Sequence, residues 1–524
     1  MPWKDRMEPL WRGKCRTLGD LIDAPSKVMG DKAVLIFEGR QTTYSELNEA
    51  ANRVANGLGS RGVESGDRVA MHIDNRPEFI TIFLGAMKAG AVLVPTNVMY
   101  TASEMEHILA DSGAKFLFVL GSLAAKFEKL APRLPDLVGV VEVNPQGSGE
   151  TPSLECLIAD ADPFPPEVSV DPDDVAIIQY TSGTTGQPKG AMISHNNILA
   201  AVANTTNLPN GIEPREDDVT LVVLPLFHAY ALDMAVCGAL LGSQTLVVVN
   251  RFDPELVFSL FEKYRVTIFH GAPPMYHSFA NTPGLERYDV SSLRICYSGA
   301  APLPTLILER FRDLTGIEIC EGYGLSETSP VLTLNAAGPV NKPGSVGPPI
   351  PQVELRLVDE MDREVPPDEV GEIVARGPNV FKGYWNREKE TAAAMRGGWF
   401  HTGDLGRRDE DGYYYIVDRK NDMILVSGFN VYPIELENAI LRHPKILDCA
   451  VIGVPSEYQG ESVKAFLVLK PGERMEVEEF IAYCREYLAA FKVPKYVSFV
   501  DSLPKSATGK VLKRELRAGE LHAE

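Results

Sequence analysis

Long apolar runs are missing from this sequence, whose most hydrophobic stretches, such as AVLVPTN at 91–97 and TLVVVN at 245–250, break at polar residues or proline. A bilayer-spanning helix needs about 20 consecutive apolar residues, so no membrane span is expected. Positive charge is also scarce, with 51 Lys and Arg against 71 Asp and Glu and a formal charge of -20. That balance argues against a broad nucleic-acid footprint or a polybasic membrane patch, and leaves other peripheral membrane contacts open. Cysteine is sparse. Cys15, Cys156, Cys237, Cys296, Cys320, Cys449 and Cys484 stand apart, with no CxxC and no paired histidine spacing. Neither a disulfide framework nor a zinc site is expected, and the thiols read as small buried hydrophobes in a reducing compartment. The opening MPWKDRMEPLWRGKCRTLGD has no apolar core, and the closing LHAE is no peroxisomal or retention address. A cytoplasmic protein is the expectation.

What is present is an ordinary globular composition, 45% hydrophobic and 23% charged, over 524 residues. That length exceeds what one core organises, so several subdomains are expected. Thr43 to Glu46 form a capping-box pattern ahead of apolar positions Leu47, Ala50, Ala51, Val54 and Leu58, spaced as on one helix face. Strand-like RVAMHI, helix-like PEFITIFLGAMKAG, strand-like AVLVPTN, helix-like SEMEHILADSGA and strand-like KFLFVL follow. Such alternation implies a mainly parallel sheet with helices on both faces. A similar series runs from about 171 to 334. The expected class is α/β: two doubly wound lobes, about 1–170 and 171–343, then a small antiparallel β unit over about 344–418. A separate α+β domain is expected over 421–524, after an N-terminal part of 1–420.

The string Thr181-Ser182-Gly183-Thr184-Thr185-Gly186-Gln187-Pro188-Lys189-Gly190 follows the apolar strand VAIIQ and precedes a helix starting near His195. Its glycines let backbone amides face an anion, while the hydroxyls and the Lys189 ammonium add donors suited to a polyphosphate. It is not a Walker A loop, because Lys189 comes three residues after Gly186 and Gly190 stands where a metal-binding hydroxyl would be.

This loop, with LPLFHAY at 224–230, GYGLSE at 322–327, GWFHTGDL at 398–405, DRKNDMILVSGFNVYPIELE at 418–437 and PKSATGK at 504–510, resembles the acyl-adenylate-forming superfamily in motif and order. The likeness spans nearly the whole chain and is closest to long-chain and related fatty-acyl-CoA synthetases. It implies an ATP-dependent acid:thiol ligase with magnesium and coenzyme A as cofactor and co-substrate. By the resemblance, the 181–190 loop takes the phosphates, with Gly299, Ala300, Glu321, Gly322, Tyr323 and Ser326 around the nucleotide. Glu327 would be the magnesium ligand, a hard oxygen donor. Asp404 would accept the ribose hydroxyls with help from Arg419, and Ser326 replaces the usual threonine. Lys510 would be the catalytic lysine and His228 the gate between nucleotide and acid.

The acyl pocket implied is His228, Tyr230, Gly271, Ala300, Gly324 and Val331, and it carries no Lys or Arg for a second carboxylate. Relatives that activate amino acids place an Asp at the His228 position; here the nearest acid is Asp233, which disfavours an α-amino acid. Ser427, Gly428 and Phe429 would line the coenzyme A path after the C-terminal domain turns about a hinge at Asn421, where relatives commonly have Lys or Asp. Aryl-CoA ligation, delivery to a carrier-protein thiol, a luciferase-like oxygenase and a non-catalytic nucleotide-binding protein are the alternatives weighed. The oligomeric state, a homodimer included, stays open.

Overall fold

The computed structural model describes residues 15–128, 130–145, 151–181, 188–208, 213–338, 340–456, 460–507 and 509–521. The capping box forms as expected. Thr43 Oγ1 accepts from the Glu46 amide and Glu46 Oε2 from the Thr43 amide, opening the helix Tyr44–Gly59. This helix lies tightly on Pro77–Lys88, where a Cβ at Gly85 would come within 2.5 Å of Val54 Cγ1. Only glycine fits there.

One sheet has the strand order Gly139–Val143, Phe116–Leu120, Arg68–His72, Val92–Pro95, Val175–Thr181, Lys189–Ser194. Its pairs are parallel except the last. The second sheet runs Thr333–Leu334, Ile319–Tyr323, Ile295–Ser298, Ile268–Gly271, Val219–Val222, Thr245–Val248, Ala33–Phe37, Arg40–Thr43. It is parallel in the middle and closed at both ends by antiparallel partners.

The expected lobe boundary near 170 does not follow these sheets. Val175–Thr181 pairs beside Val92–Pro95 in the first sheet, and Ala33–Phe37 pairs with Thr245–Val248 in the second. Local patterning says that VAIIQY is a strand buried on both faces; it does not say which neighbour satisfies its backbone, because partner choice is non-local. The lobes therefore exchange segments.

Four antiparallel strands follow, Glu354–Val358, Gly371–Arg376, Phe400–Arg408 and Tyr414–Arg419. The C-terminal sheet contains Ile424–Val426, Phe429–Val431, Ile446–Ser456, Gly460–Leu469 and Tyr496–Phe499, with the helices Pro433–Ile440 and Val477–Tyr487 packed by it. Among the described residues no helix is long and apolar enough to cross a membrane.

The second sheet is buttressed by an aromatic cluster centred on Phe279. Its ring lies 5.0 to 6.4 Å from those of Phe252, Phe258, Phe261, Phe269, Tyr276 and Phe311. Removing so central a ring leaves a cavity its neighbours cannot fill, and Phe279→Ala is expected to destabilise this lobe by about 3–5 kcal/mol. A urea titration followed by far-UV circular dichroism should show a lower midpoint for the variant; an unchanged midpoint would remove the cluster from the list of stabilising elements.

Candidate active site

The sheets, the antiparallel unit and the C-terminal domain converge on a cavity of about 1240 Å³. It lies at the carboxyl ends of the strands, where open α/β sheets bind ligands. Thr181 and Lys189 face one another across the antiparallel pair that delivers the phosphate-loop string, and both line the cavity. Ser182, Gly183, Thr184, Thr185 and Gly186 lie outside the described residues. The strand Lys189–Ser194, unread in the sequence, separates the loop from the helix His195–Thr206 and fixes where Lys189 begins.

The strand Ile319–Tyr323 and the short helix Ser326–Thr328 bring the next group, with Glu321, Gly322, Tyr323, Gly324, Ser326 and Glu327 all on the lining. Glu321 is buried with Oε1 unpartnered, and burial pushes its carboxyl up to about 7 against the pull of the Gly344 and Leu303 amides. Glu327 is 8% exposed, and burial raises its carboxyl above the usual range. Its Oε1 accepts from the Tyr384 hydroxyl at 2.9 Å, and the Tyr384 ring centroid lies 5.5 Å from Lys189 Nζ. Tyr384 had no signal in the sequence.

Asp404 sits mid-strand, directly opposite Arg419 in the register of Phe400–Arg408 and Tyr414–Arg419. Its Oδ1 is 3.5 Å from Arg419 Nε, and its Oδ2 accepts from the Tyr323 hydroxyl at 2.7 Å. A tyrosine ring and a fixed carboxylate thus share one wall of the cavity. Gly299 and Ala300 form a nearby turn, with Ala300 in the left-handed region at φ 72°, a conformation rare for a residue with a Cβ.

Lys510 enters from the C-terminal domain. Its loop docks on the start of the helix Pro273–Asn281, so closely that a Cβ on Gly509 would meet Pro274 Cγ at 2.4 Å. Burial, with Arg419 alongside, lowers the Lys510 amine to about 8 against the opposing attraction of Asp404 and Asp422. Asn421 also lines the cavity, and neighbouring Asp422 is held by Arg517 at 2.8 Å. Ser427, Gly428 and Phe429 do not line it. Ser427 and Gly428, at φ 51° and 85°, make the two-residue turn of a hairpin. Phe429 is exposed and stacks on Phe491 at 4.9 Å.

His228 and Tyr230 line the same cavity, and the Tyr230 ring packs on Gly299, 3.3 Å from where a Cβ would lie. Burial, then the Lys510 charge, lowers the His228 imidazole to about 4, so it is neutral at pH 7. Asn75 holds the gate segment by donating to Leu224 O and accepting from the Leu226 amide. Gln179 donates to Phe227 O. The residues Tyr230–Val236 are wound as a π-helix, a form concentrated at functional sites. Tyr230, His270 and Tyr297 present rings 5.0 to 5.7 Å apart, and Met234, Gly238, Val331 and Val202 continue the apolar wall.

Gly271 departs from expectation. A Cβ there would meet Phe269 and Tyr276 at 2.7 and 2.8 Å, so it faces the aromatic core and does not line the pocket. Counting along a strand end gives the right strand but not which face looks into the cavity. Asp233 is buried outside the lining, with its carboxyl raised by burial, so it is not presented to a substrate ammonium in the cavity.

A family model described as AMP-binding enzyme matches residues 23–385, and one described as AMP-binding enzyme C-terminal domain matches residues 435–510. The chain is 42% identical to a feruloyl-CoA synthase of Amycolatopsis sp, over 91% of this chain and 94% of that protein. It is 36% identical to a long-chain-fatty-acid--CoA ligase of Bacillus subtilis (strain 168), over 96% and 94% of the two chains. In structure it is similar to the anthranilate CoA ligase AuaEII in complex with anthranoyl-AMP, with a TM-score of 0.91, 29% identity, and 97% and 98% of the two chains covered. Matched nearly end to end by these relatives, and by the family model over 23–385, the chain belongs to the AMP-binding enzymes.

Proposed function

We propose that this chain is an AMP-forming acid:thiol ligase that activates a carboxylic acid with ATP and transfers the acyl group to coenzyme A. The observation that carries the reading is the meeting of Lys189, Glu327, Asp404 and Lys510, from four distant segments, in one cavity. In the first half-reaction a substrate carboxylate oxygen bonds to the α-phosphorus of ATP, and the bond to pyrophosphate breaks. Asp404 and Tyr323 hold the nucleoside end, Lys189 faces the phosphates, and the Lys510 ammonium compensates charge on the carboxylate and phosphate oxygens. Neutral His228 orients the acid without adding charge. Magnesium bound with ATP supplies positive charge to the phosphate oxygens, and Glu327 is the carboxylate that would hold it. Among the described residues no cluster of three or more His, Cys, Asp or Glu could hold a metal. One carboxylate plus phosphates is a normal environment for this ion.

In the second half-reaction the thiol gives up its proton to solvent, its sulfur bonds to the acyl carbon, and AMP leaves with the electrons of the acyl–oxygen bond. Lys510 lies inside the cavity while the Ser427–Phe429 turn lies outside it. This arrangement supports assigning the two segments to different half-reactions, with the C-terminal domain turning near Asn421 between them. The apolar side chains Val202, Met234 and Val331 on the lining support a fatty acid. An aromatic acid is the second reading, favoured by the Tyr230, His270 and Tyr297 rings and by the feruloyl-CoA synthase relative. Free, mostly buried thiols among the described residues fit a cytoplasmic setting.

Turnover with any accepted acid should require a divalent cation and yield AMP and pyrophosphate. Stoichiometric ADP would overturn the assignment. Lys510→Ala should slow acid activation about a hundredfold, the scale of a lost charge contact at the transition state. It should spare thioester formation from supplied acyl-adenylate and coenzyme A. Gly428→Leu should do the reverse, obstructing the thiol step and leaving pyrophosphate exchange intact. Equal loss of both half-reactions in each folded variant would contradict the division.

Because the Lys510 amine is lowered to about 8, its charge is complete below that pH and is lost above it. Acid activation should therefore fall as pH rises through about 8, and Lys510→Arg, whose charge persists above pH 12, should remove this limb. Pyrophosphate exchange measured from pH 6 to 10 decides it; an identical limb in both proteins would assign it to another group.

A further inference from the structure

We infer that Tyr384 is a positioning residue that holds the carboxylate of Glu327 and the ammonium of Lys189 apart, each aimed into the cavity. The inference rests on the proposed roles of those two residues. Its hydroxyl donates to Glu327 Oε1 at 2.9 Å, and its ring lies 5.5 Å from Lys189 Nζ. A buried carboxylate and an ammonium this close to a common side chain would gain by pairing directly. Among the described residues no ion pair joins them. Tyrosine prevents that collapse with one side chain. Its polar edge satisfies one carboxylate oxygen, and its face attracts the cation without neutralising it.

The backbone explains how the ring is held. The segment 381–385 spans from one group to the other. The Phe381 amide donates to Glu327 O at 2.9 Å, and the Trp385 amide donates to Gly190 O at 2.7 Å, one residue beyond Lys189. The Lys382 amide donates to Met192 O, and the Met192 amide to Gly383 O, both at 2.9 Å. The segment thus covers the open edge of Lys189–Ser194, with Tyr384 bridged to Ala191. Edge-on packing by Phe381, 4.9 Å away, fixes the ring. Behind it, Trp385 Nε1 donates to Asp111 O at 3.0 Å, and Arg387 pairs with Asp111 Oδ1 at 2.9 Å. Tyr180, which leads into the phosphate loop, donates to the other Asp111 oxygen at 2.7 Å. The entry strand, Lys189 and Glu327 are therefore all referred to the same short segment.

Two variants separate the two contacts. Tyr384→Phe keeps the ring and loses the hydroxyl; Tyr384→Leu loses both. Mn2+ binding in the presence of ATP, followed by electron spin resonance, reads the Glu327 side without turnover. Losing a hydrogen bond to a charged group should weaken it about tenfold in both variants. The KM for pyrophosphate in the reverse reaction reads the Lys189 side. It should stay at the wild-type value in Tyr384→Phe and rise severalfold in Tyr384→Leu. In Tyr384→Phe the KM for magnesium should rise much more than kcat falls. Wild-type Mn2+ affinity in folded Tyr384→Phe, or equal pyrophosphate KM in the two variants, would overturn the inference. If the protein forms no AMP with any acid while Mn2+ affinity still depends on Tyr384, the ligase reading fails and the positioning role stands.

Discussion

Everything in the site depends on bringing several charged side chains of both signs into one cavity. Lys189, Glu327, Asp404, Arg419 and Lys510 line the same space, and they come from two sheets, an antiparallel unit and a separate domain. In low dielectric, opposite charges attract strongly and an unpaired ion is costly. The fold meets both demands by giving the carboxylates tyrosine partners, Tyr384 for Glu327 and Tyr323 for Asp404, by pairing Asp404 with Arg419, and by bringing Lys510 in from the C-terminal domain. Lys510 shows the cost directly, since burial lowers its amine to about 8 even with Asp404 and Asp422 near.

The segment exchange between lobes serves the same end. Because Val175–Thr181 belongs to the first sheet and Ile319–Tyr323 to the second, residues of both sheets line one cavity. The aromatic cluster includes Tyr276 and Phe279 of the helix Pro273–Asn281, on which the Lys510 loop docks. Packing of that helix on the second sheet thus holds the surface against which the Lys510 loop lies.

Much of this was legible in the sequence because it is local. GYGLSE and GWFHTGDL each carry their chemistry within a few residues, and the helix capped by Thr43 and Glu46 announces its own start. What was not legible is relational. VAIIQY reads as a strand, but its neighbour is set by non-local pairing, so the boundary near 170 failed. Gly271 lies on the expected strand end and faces the core, since one residue of phase reverses a side chain. Tyr384 sits in FKGYWN, a stretch with no chemical signature, and its role arises only when that segment covers the edge of Lys189–Ser194.

The central claim is that the arrangement with Lys510 in the cavity serves acid activation only. A Cβ on Gly509 would lie 3.1 Å from Pro274 Cβ, close to the roughly 3.5–4.5 Å that a disulfide spans. A Pro274→Cys, Gly509→Cys protein, with exposed Cys156 replaced by serine, can therefore be locked by oxidation and released by reductant. Intact-mass analysis of a single turnover should find one equivalent of acyl-adenylate and no acyl-CoA in the locked form, with thioester appearing after reduction. Thioester formed at the wild-type rate by the locked enzyme would contradict the account.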